Sequence, residues 1–204
     1  YPCAPVLIPN GVSLAERVDT SKFLISKKIN PYKYILTVGR LVPEKRQVDL
    51  IEAFLKLNPP GWKLVIAGGT EHPDSYSKRV FNLANLSANV EALGFVFGDD
   101  LVELYSNAGL FVIPSSHEGL PIALLEAMSY GRHVLASNIP ACKAVELPES
   151  CYFQLGDIDE LSEKLRDFIE SGKIEPNSEY IELVLNKYDW SKIARDTLAV
   201  YQSV

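Results

Sequence analysis

Short apolar runs alternate along the chain with longer segments whose apolar positions recur at helical spacing. The run Tyr-Ile-Leu-Thr-Val at 34–38 is apolar at consecutive positions, which is typical of a parallel strand covered on both faces. The segment at 47–57 places Val48, Ile51 and Phe54 on one side of a helix. Strands are predicted at residues 34–38, 63–67, 90–93, 110–113, 133–136 and 151–153.

Helices are predicted between these strands and after the last one, at residues 47–57, 74–86, 100–107, 121–130, 158–170, 177–187 and 190–202. In the second of them, Val80, Phe81 and Ala84 are expected to face inward. Asp100 and Glu103 have the spacing of a capping box, which opens a helix. Right-handed crossovers then place helices on both faces of the sheet, so the sequence predicts a three-layer α/β/α domain with a mainly parallel sheet.

The predicted strands and helices belong to one domain, with a core at 34–155 and C-terminal helices at 156–204. Before the core, residues 5–9 predict a short strand between two prolines, and residues 13–33 have no clear period and predict a surface connection. Since the sequence at Tyr1 fits neither a signal peptide nor an ordinary translation start, we expect the chain to be part of a longer protein.

Composition narrows the classes of function. The 204 residues are 47% hydrophobic, enough for a real core, and the net charge of −6 argues against a general nucleic-acid or anionic-membrane surface. The odd set Cys3, Cys142 and Cys151 matches no zinc or redox spacing, so buried thiols in a reducing compartment are expected. No apolar run approaches the roughly 20 residues of a membrane span.

Positive charge is concentrated in the loop after the first predicted strand. Arg40, Lys45 and Arg46 lie within seven residues of one another in a chain that is otherwise acidic. Arginine offers a planar fork of donors that matches phosphate oxygens, and lysine adds a point charge. A diphosphate would suit Arg40 and Lys45; a loop whose cations point into water is the alternative.

Two glutamates, Glu118 and Glu126, flank the start of the helix that follows strand 110–113. Pro121 suits the first helical position, because its missing N–H costs nothing there, and this places Glu118 on the turn and Glu126 inside the helix. The carboxylates of glycosidases lie about 5–9.5 Å apart, whereas eight helical residues rise about 12 Å. The pair therefore favours binding two sets of sugar hydroxyls, with a salt-bridged or solvated pair as the alternative.

Weaker signals surround these two sites. The N–H groups of Gly119 and Leu120, at a helix N-terminus, could face a phosphate or sugar oxygen. Gly68 and Gly69 follow a strand, where glycine can simply ease a turn, and no G-x-G-x-x-G motif follows any strand.

The histidines and tryptophans carry little functional signal. His72, His117 and His133 are spread over three elements and predict neither a metal cluster nor a Ser-His-Asp arrangement. His117 is expected to line the pocket beside the neighbouring glutamate. Trp62 and Trp190 are expected to pack in the core or between helices.

Taken in order, several segments resemble the C-terminal donor-binding domain of retaining glycosyltransferases of family 4, which have the GT-B fold. They are Ile-Pro-Asn-Gly-Val at 8–12, the loop at 39–46, Leu-Val-Ile-Ala-Gly at 64–68, Val-Glu-Ala-Leu-Gly at 90–94, the stretch at 114–137 with both glutamates, and Tyr-Asp-Trp at 188–190. Each is weak by itself, but their order is specific. The resemblance implies a Rossmann-like domain that residues 1–33 connect to an N-terminal domain.

The resemblance also implies a role for each matching residue. Arg40 and Lys45 would bind the donor diphosphate and stabilise it as it leaves, Glu118 would bind the hydroxyls of the transferred sugar, and Glu126 those of the ribose. Among the remaining positions, Gly68, Gly69 and the loop at Gly94 would flank the nucleoside, while Gly119, Leu120 and Pro121 would present backbone N–H groups or shape to the sugar and phosphate. The resemblance implies no metal or other cofactor.

Five positions depart from the family pattern. Arg46 stands where glycine is frequent, and Arg132 and His133 replace a common basic-Pro pair. Ala141 and Ala144 occupy places that glycine and glutamate often hold. These departures bear on the nucleoside and phosphate contacts more than on the fold.

The expected activity is transfer of a hexose-type sugar, with retention, from a UDP- or GDP-linked donor to a glycan or lipid-linked acceptor, as in polysaccharide biosynthesis. The N-terminal domain would bring the acceptor, so this chain by itself should not catalyse. We expect a cytoplasmic protein, held at the membrane only through that missing domain. A non-catalytic sugar-nucleotide or glycan-binding module and a GT-B-fold sugar-nucleotide epimerase are the alternatives.

Overall fold

Six parallel strands form the central sheet of the computed structural model, which describes residues 6–202. They are β1 (Tyr34–Val38), β2 (Lys63–Ala67), β3 (Val90–Gly94), β4 (Leu110–Ile113), β5 (His133–Ser137) and β6 (Tyr152–Phe153). Their order in the sheet is β3-β2-β1-β4-β5-β6. The order reverses between β1 and β4, where the loops at the carboxyl ends of two neighbouring strands diverge and leave a crevice for a ligand.

Helices cover both faces of this sheet. They are α1 (Lys22–Ser26), α2 (Gln47–Leu57), α3 (Ser75–Ala84), α4 (Gly98–Asn107), α5 (Ile122–Ser129), α6 (Pro140–Lys143), α7 (Ile158–Ser171), α8 (Ser178–Tyr188) and α9 (Trp190–Gln202). The predicted three-layer, Rossmann-like fold is confirmed. The six strands predicted for the sheet agree with the observed ones to within one residue, and the seven predicted helices to within two; α1 and α6 were not predicted.

Consecutive apolar positions are explained by two separate cores, one on each face of the sheet. In β1, Tyr34 and Leu36 belong to the core beneath α4 and α5, whereas Ile35 belongs to the core beneath α2 and α7. In β4, Phe111 lies in the first core and Leu110 in the second. Because successive side chains of a strand point to opposite faces, every position of the central strand β4 is buried, whereas in the edge strand β3 only Val90 is buried.

The N-terminal segment differs from the prediction. Residues 6–9 form no strand, and Pro5 lies outside the described residues. The first sheet-like contact is made further on by Val12, whose N–H donates to the carbonyl of Tyr188 at 2.7 Å. The surface connection expected at 13–33 contains α1, whose Leu24 is fully buried. The segment is therefore attached to the domain by the bond of Val12 and by the packing of α1.

The capping box predicted at Asp100 and Glu103 is wrong. Helix α4 begins earlier, at Gly98, and has no side-chain cap. Glu103 is instead buried, and its carboxylate accepts a 2.8 Å hydrogen bond from the N–H of Leu24 and one of 3.3 Å from the Thr20 hydroxyl. Glu103 thus satisfies a backbone N–H group of α1 instead of capping its own helix.

Two aromatic residues are more exposed than predicted. Phe81 is 38% exposed, because α3 buries Ser77, Val80 and Ala84, and the next residue after Val80 lies about 100° further round the helix. Trp190 is 48% exposed at the start of α9. Trp62, by contrast, is buried as predicted.

Candidate functional site

The loops after β1 and β4 are connected at the point where the strand order reverses. The N–H of Ser116 donates to the carbonyl oxygen of Glu44 at 2.7 Å. Beside this bond, Nζ of Lys45 lies 2.6 Å from Oε1 of Glu118. The predicted diphosphate lysine and the predicted sugar carboxylate, 73 residues apart in sequence, are thus in direct contact.

Local backbone geometry fixes the position of Lys45. Residues Pro43–Lys45 form one turn of 3-10 helix, and the aliphatic part of the Lys45 side chain lies next to Gly39 at the end of β1. Arg46 then adopts the left-handed conformation, with φ 47° and ψ 35°, before α2 starts. A left-handed residue here explains why glycine suits this position, since glycine adopts that conformation without steric cost.

Arg46 is directed away from the loop. Its Nη2 lies 2.6 Å from Oδ2 of Asp49, to which its Nε also donates, so both groups bind within the first turn of α2. Of the three cations in the predicted loop, Arg46 is paired with a carboxylate of α2, whereas Lys45 is paired with Glu118 across the crevice. The other two, Arg40 and Lys45, are the ones predicted to bind the diphosphate.

Arg40 is exposed, and its guanidinium forms no hydrogen bond or ion pair within residues 6–202. It lines a cavity of about 260 Å³ together with Gly69, Thr70, His72 and Phe95. The backbone carbonyl of Arg40 accepts a 2.8 Å hydrogen bond from the Gln47 amide, which holds the loop against α2. The side chain is therefore free to bind an anion, while its backbone is held.

Three glycines meet where β1, β2 and β3 end. The N–H of Gly68 donates to the carbonyl of Gly94 at 2.7 Å. A Cβ atom on Gly68 would lie 1.8 Å from the carbonyl oxygen of Gly39, closer than any side chain allows. Gly94 has φ 69° and open space around it. Glycine at position 68 is therefore required by the close approach of two backbones as well as by a turn.

The loop that carries Glu118 leaves backbone donors unused. Within the described part of the chain, the N–H groups of Gly119 and Leu120 donate no hydrogen bond, and Gly119 is exposed. Pro121 precedes α5, whose first residue is Ile122, one position later than predicted. These two N–H groups lie close to the helix N-terminus, where anions are favoured.

Glu126 occupies different surroundings. It lines a cavity of about 780 Å³ between α4, α5 and the N-terminal segment, and this lining does not include Glu118. Burial raises the pKa of Glu126, and a hydrogen bond from Tyr105 lowers it in part. The Tyr105 hydroxyl lies 2.9 Å from Oε2 of Glu126. The sequence pattern did not predict this contact between Tyr105 and Glu126.

The charged residues that line this larger cavity are all acidic: Glu16, Asp99 and Glu126. Acidic walls repel phosphate and accept hydrogen bonds from hydroxyl and amino groups. The cavity therefore suits the uncharged part of a ligand.

The remaining candidates from the sequence are two histidines and a buried arginine. His117 is exposed, contrary to the expectation that it lines the pocket, and His72 lines the Arg40 cavity instead. Arg132 is buried before β5, at the opposite edge of the sheet, where its Nε and Nη1 donate to the carbonyls of Tyr130 and Ala108. Its burial lowers the pKa of its guanidinium to about 10.

Neither a metal cluster nor a membrane span is found in the described residues. Between residues 6 and 202, no three His, Cys, Asp or Glu side chains are grouped so that they could hold a metal ion. None of the helices in that range has both the length and the apolar character needed to cross a bilayer. Cys142 and Cys151 are free thiols, and burial raises the pKa of Cys142 to about 12; Cys3 lies outside the described residues.

The fold defines a Rossmann-like α/β domain with a crevice at the switch point of its sheet. The model of the family described as glycosyl transferases group 1 matches residues 20–182, most of the chain. The chain therefore belongs to that family, as its resemblance to the GT-B glycosyltransferases of family 4 predicted.

Two relatives illustrate the match. An uncharacterized glycosyltransferase of Methanocaldococcus jannaschii is 34% identical over 184 residues, which cover 83% of this chain and 45% of the relative. An α-1,3-N-acetylgalactosaminyltransferase of Campylobacter jejuni, named for a diphospho-undecaprenol acceptor, is 29% identical over 90% of this chain and 48% of its own length. The chain thus spans about half the length of the curated relatives it matches.

Solved structures show the same fold. HepE of Anabaena in complex with UDP and glucose superposes with a TM-score of 0.84 at 20% identity, covering 97% of this chain and 56% of that one. The catalytic domain of the cholesterol-α-glucosyltransferase of Helicobacter pylori gives a TM-score of 0.64 at 28% identity, over 75% of this chain and 97% of that one.

Proposed function

We propose that this chain is the donor-binding half of a glycosyltransferase that moves a hexose-type sugar, with retention, from a nucleoside diphosphate to a glycan or lipid-linked acceptor. The contact between Lys45 and Glu118 carries the proposal, because it joins a cation suited to the diphosphate and an acceptor suited to the sugar at one crevice. Family membership and the sugar transferases among the relatives support it.

The diphosphate would lie between the loops after β1 and β4. Arg40 has no partner among the described residues, and Gly119 and Leu120 have unused N–H groups on the other side. Lys45 would exchange Glu118 for phosphate oxygens, which sets the carboxylate free to accept sugar hydroxyls. The two cations would then stabilise the charge that develops on the leaving diphosphate.

The ribose would reach Glu126 at the larger cavity, while the loops at Gly68, Gly69 and Gly94 would flank the nucleoside, as the resemblance implies. The acidic lining of that cavity disfavours the phosphates there, and Glu126 offers the ribose hydroxyls a carboxylate. UDP and GDP are the nucleotides we expect, and HepE, which has the same fold, is solved with UDP. No metal or other cofactor is proposed, because Arg40 and Lys45 supply the positive charge.

We propose that the protein is cytoplasmic, since the free thiols Cys142 and Cys151 suit a reducing compartment. The acceptor would bind through a further domain, which would also complete the active site. Anomeric analysis of the product from the full-length protein tests retention, and an inverted product would contradict that part of the proposal.

Calorimetric titration of the chain with UDP, GDP and ADP tests donor binding. We expect at least one to bind, and Arg40→Ala or Lys45→Ala to weaken it about tenfold or more, the loss of roughly one charge-assisted hydrogen bond. Lys56→Ala is the matched control, because Lys56 is an exposed lysine paired with Asp159 and distant in the fold from this crevice. A folded chain that binds none of the three would overturn the proposal.

A further inference from the structure

The phenol of Tyr105 supports the Glu126 carboxylate from within the protein. Tyr105 is only 2% exposed, and its hydroxyl donates to Oε2 of Glu126 at 2.9 Å. Its ring is stacked on that of Tyr130, with centroids 5.3 Å apart, and packs against Phe111 at 5.8 Å. An aromatic ring held on two sides has little freedom, so its hydroxyl is a fixed donor.

The two oxygens of Glu126 have different partners. Oε2 accepts the bond from Tyr105, whereas Oε1 has no hydrogen-bond partner among residues 6–202. An ionised carboxylate can accept about four hydrogen bonds, so one protein donor leaves capacity for a ligand. The arrangement directs one oxygen at the protein and leaves the other available to the cavity that Glu126 lines.

The groups around Glu126 make this single donor important. Asp99 of α4 and Glu16 of the N-terminal segment line the same cavity and add negative charge, and Tyr130 is neutral. Burial raises the pKa of Glu126, and the bond from Tyr105 opposes this rise. Among the residues that the structure describes, no lysine, arginine or histidine lines the cavity. Without the phenol, the carboxylate would have no side-chain donor.

We infer that Tyr105 is a positioning residue for ribose recognition: its hydroxyl holds Oε2 of Glu126 so that Oε1 accepts a hydroxyl of the donor's ribose. The inference rests on the proposed function, because it takes a ribonucleotide as the ligand. Tyr105 lines the same cavity as Glu126, and the role inferred for it is to hold that carboxylate rather than to bind the ligand.

The test compares Tyr105→Phe with the unchanged chain by titration with UDP, GDP and their 2′-deoxy forms between pH 5 and 8. We expect the unchanged chain to prefer the ribonucleotide about tenfold, and Tyr105→Phe to lose most of that preference while its affinity for the deoxynucleotide stays the same. The preference should also appear only at higher pH in the variant. Because both ligands carry the same diphosphate, its own titration cancels in the ratio.

Tyr34→Phe is the matched control. Tyr34 is a fully buried tyrosine whose hydroxyl donates to the carbonyl of Leu104, in the same helix as Tyr105, and it does not line the cavity. This variant also loses a buried phenol, so it should keep the ribose preference and its pH dependence. If Tyr34→Phe reduced the preference equally, a general loosening of α4 would replace the inference.

A second measurement needs no nucleotide. An NMR titration of the Glu126 carboxyl in the free protein should show a higher pKa in Tyr105→Phe than in the unchanged chain. If the pKa of Glu126 and the ribose preference are both unchanged in Tyr105→Phe, the inference is overturned. Nucleotide binding by the same chain would still support the proposed function. Absence of any nucleotide binding, together with a raised Glu126 pKa, would overturn the proposed function and the ribose assignment with it.

Discussion

Glu118 and Glu126 lie in the same strand–loop–helix segment, yet their surroundings differ in kind. Glu118 lies on the loop, with a side chain only 9% exposed, and its partner is the cation Lys45 from another loop. Glu126 lies inside α5, beside a cavity, and its partner is the neutral phenol of Tyr105. An ion pair can exchange its cation for a ligand, whereas a fixed phenol keeps its carboxylate in place. On the proposed function, a donor would displace the partner of Glu118, whereas Glu126 already has the partner that holds it.

The largest effect that would separate the two is expected from Glu118→Ala in the full-length protein. Transfer should fall by at least about a hundredfold, since a contact to the reacting sugar acts in the transition state. Nucleotide binding should be largely kept, because Lys45 remains available to the diphosphate. Product formation and calorimetry measure the two quantities. Lost nucleotide binding with retained transfer would reverse the assignment.

Glu126→Gln should have a smaller effect, and it should change nucleotide affinity. The amide keeps the shape of the side chain but loses its charge, so nucleotide affinity should fall by about tenfold, the equivalent of about 1.4 kcal/mol. Calorimetry of the isolated chain measures it. Unchanged affinity for the ribonucleotide would show that Glu126 does not contact it.

The pH dependence of the unchanged chain should follow Glu126. Burial raises its folded pKa above that of the unfolded chain, so the folded state binds more protons between the two values. This contribution to stability therefore decreases as pH rises through that range, while ribonucleotide affinity increases because the carboxylate becomes ionised. Chemical denaturation across this pH range measures the first, and Glu126→Gln, which should remove the slope, is its control.

Gly68→Ala tests the backbone contact that supports the Arg40 loop. A Cβ atom there would meet the carbonyl oxygen of Gly39, so we expect a loss of about 1–3 kcal/mol, or about 2–9 °C in Tm. Gly119→Ala is the control for stability, since nothing lies within 4 Å of its added Cβ. Equal melting temperatures for the two variants would show that the close approach is absent.

The smallest effect is expected from Arg46→Gly. The change relieves a left-handed residue but removes its ion pair with Asp49, so the two contributions of about 1 kcal/mol or less should nearly cancel. Nucleotide affinity should stay within about twofold. A large loss of affinity would mean that Arg46, rather than Arg40, is the second cation of the site.

The sequence predicted the sheet well because most of its strands are apolar runs between two cores, as β4 is throughout. It could not predict the contact between Lys45 and Glu118, which depends on β1 and β4 being neighbours, a matter of strand order. Nor could it assign Tyr105, since a tyrosine on the apolar side of a helix has the same pattern whether its hydroxyl meets a carbonyl or a carboxylate. Glu103 shows the same ambiguity, because its spacing from Asp100 fits a cap and its role is a buried acceptor for α1.

We propose that the donor binds in the crevice between the loops after β1 and β4. A crystal structure of the chain with a UDP- or GDP-linked hexose tests it most directly. We expect the diphosphate to lie on Arg40 and Lys45, the ribose at Glu126 and the sugar at Glu118. The contact between Lys45 and Glu118 should be broken. A nucleotide bound elsewhere, with that contact intact, would contradict it.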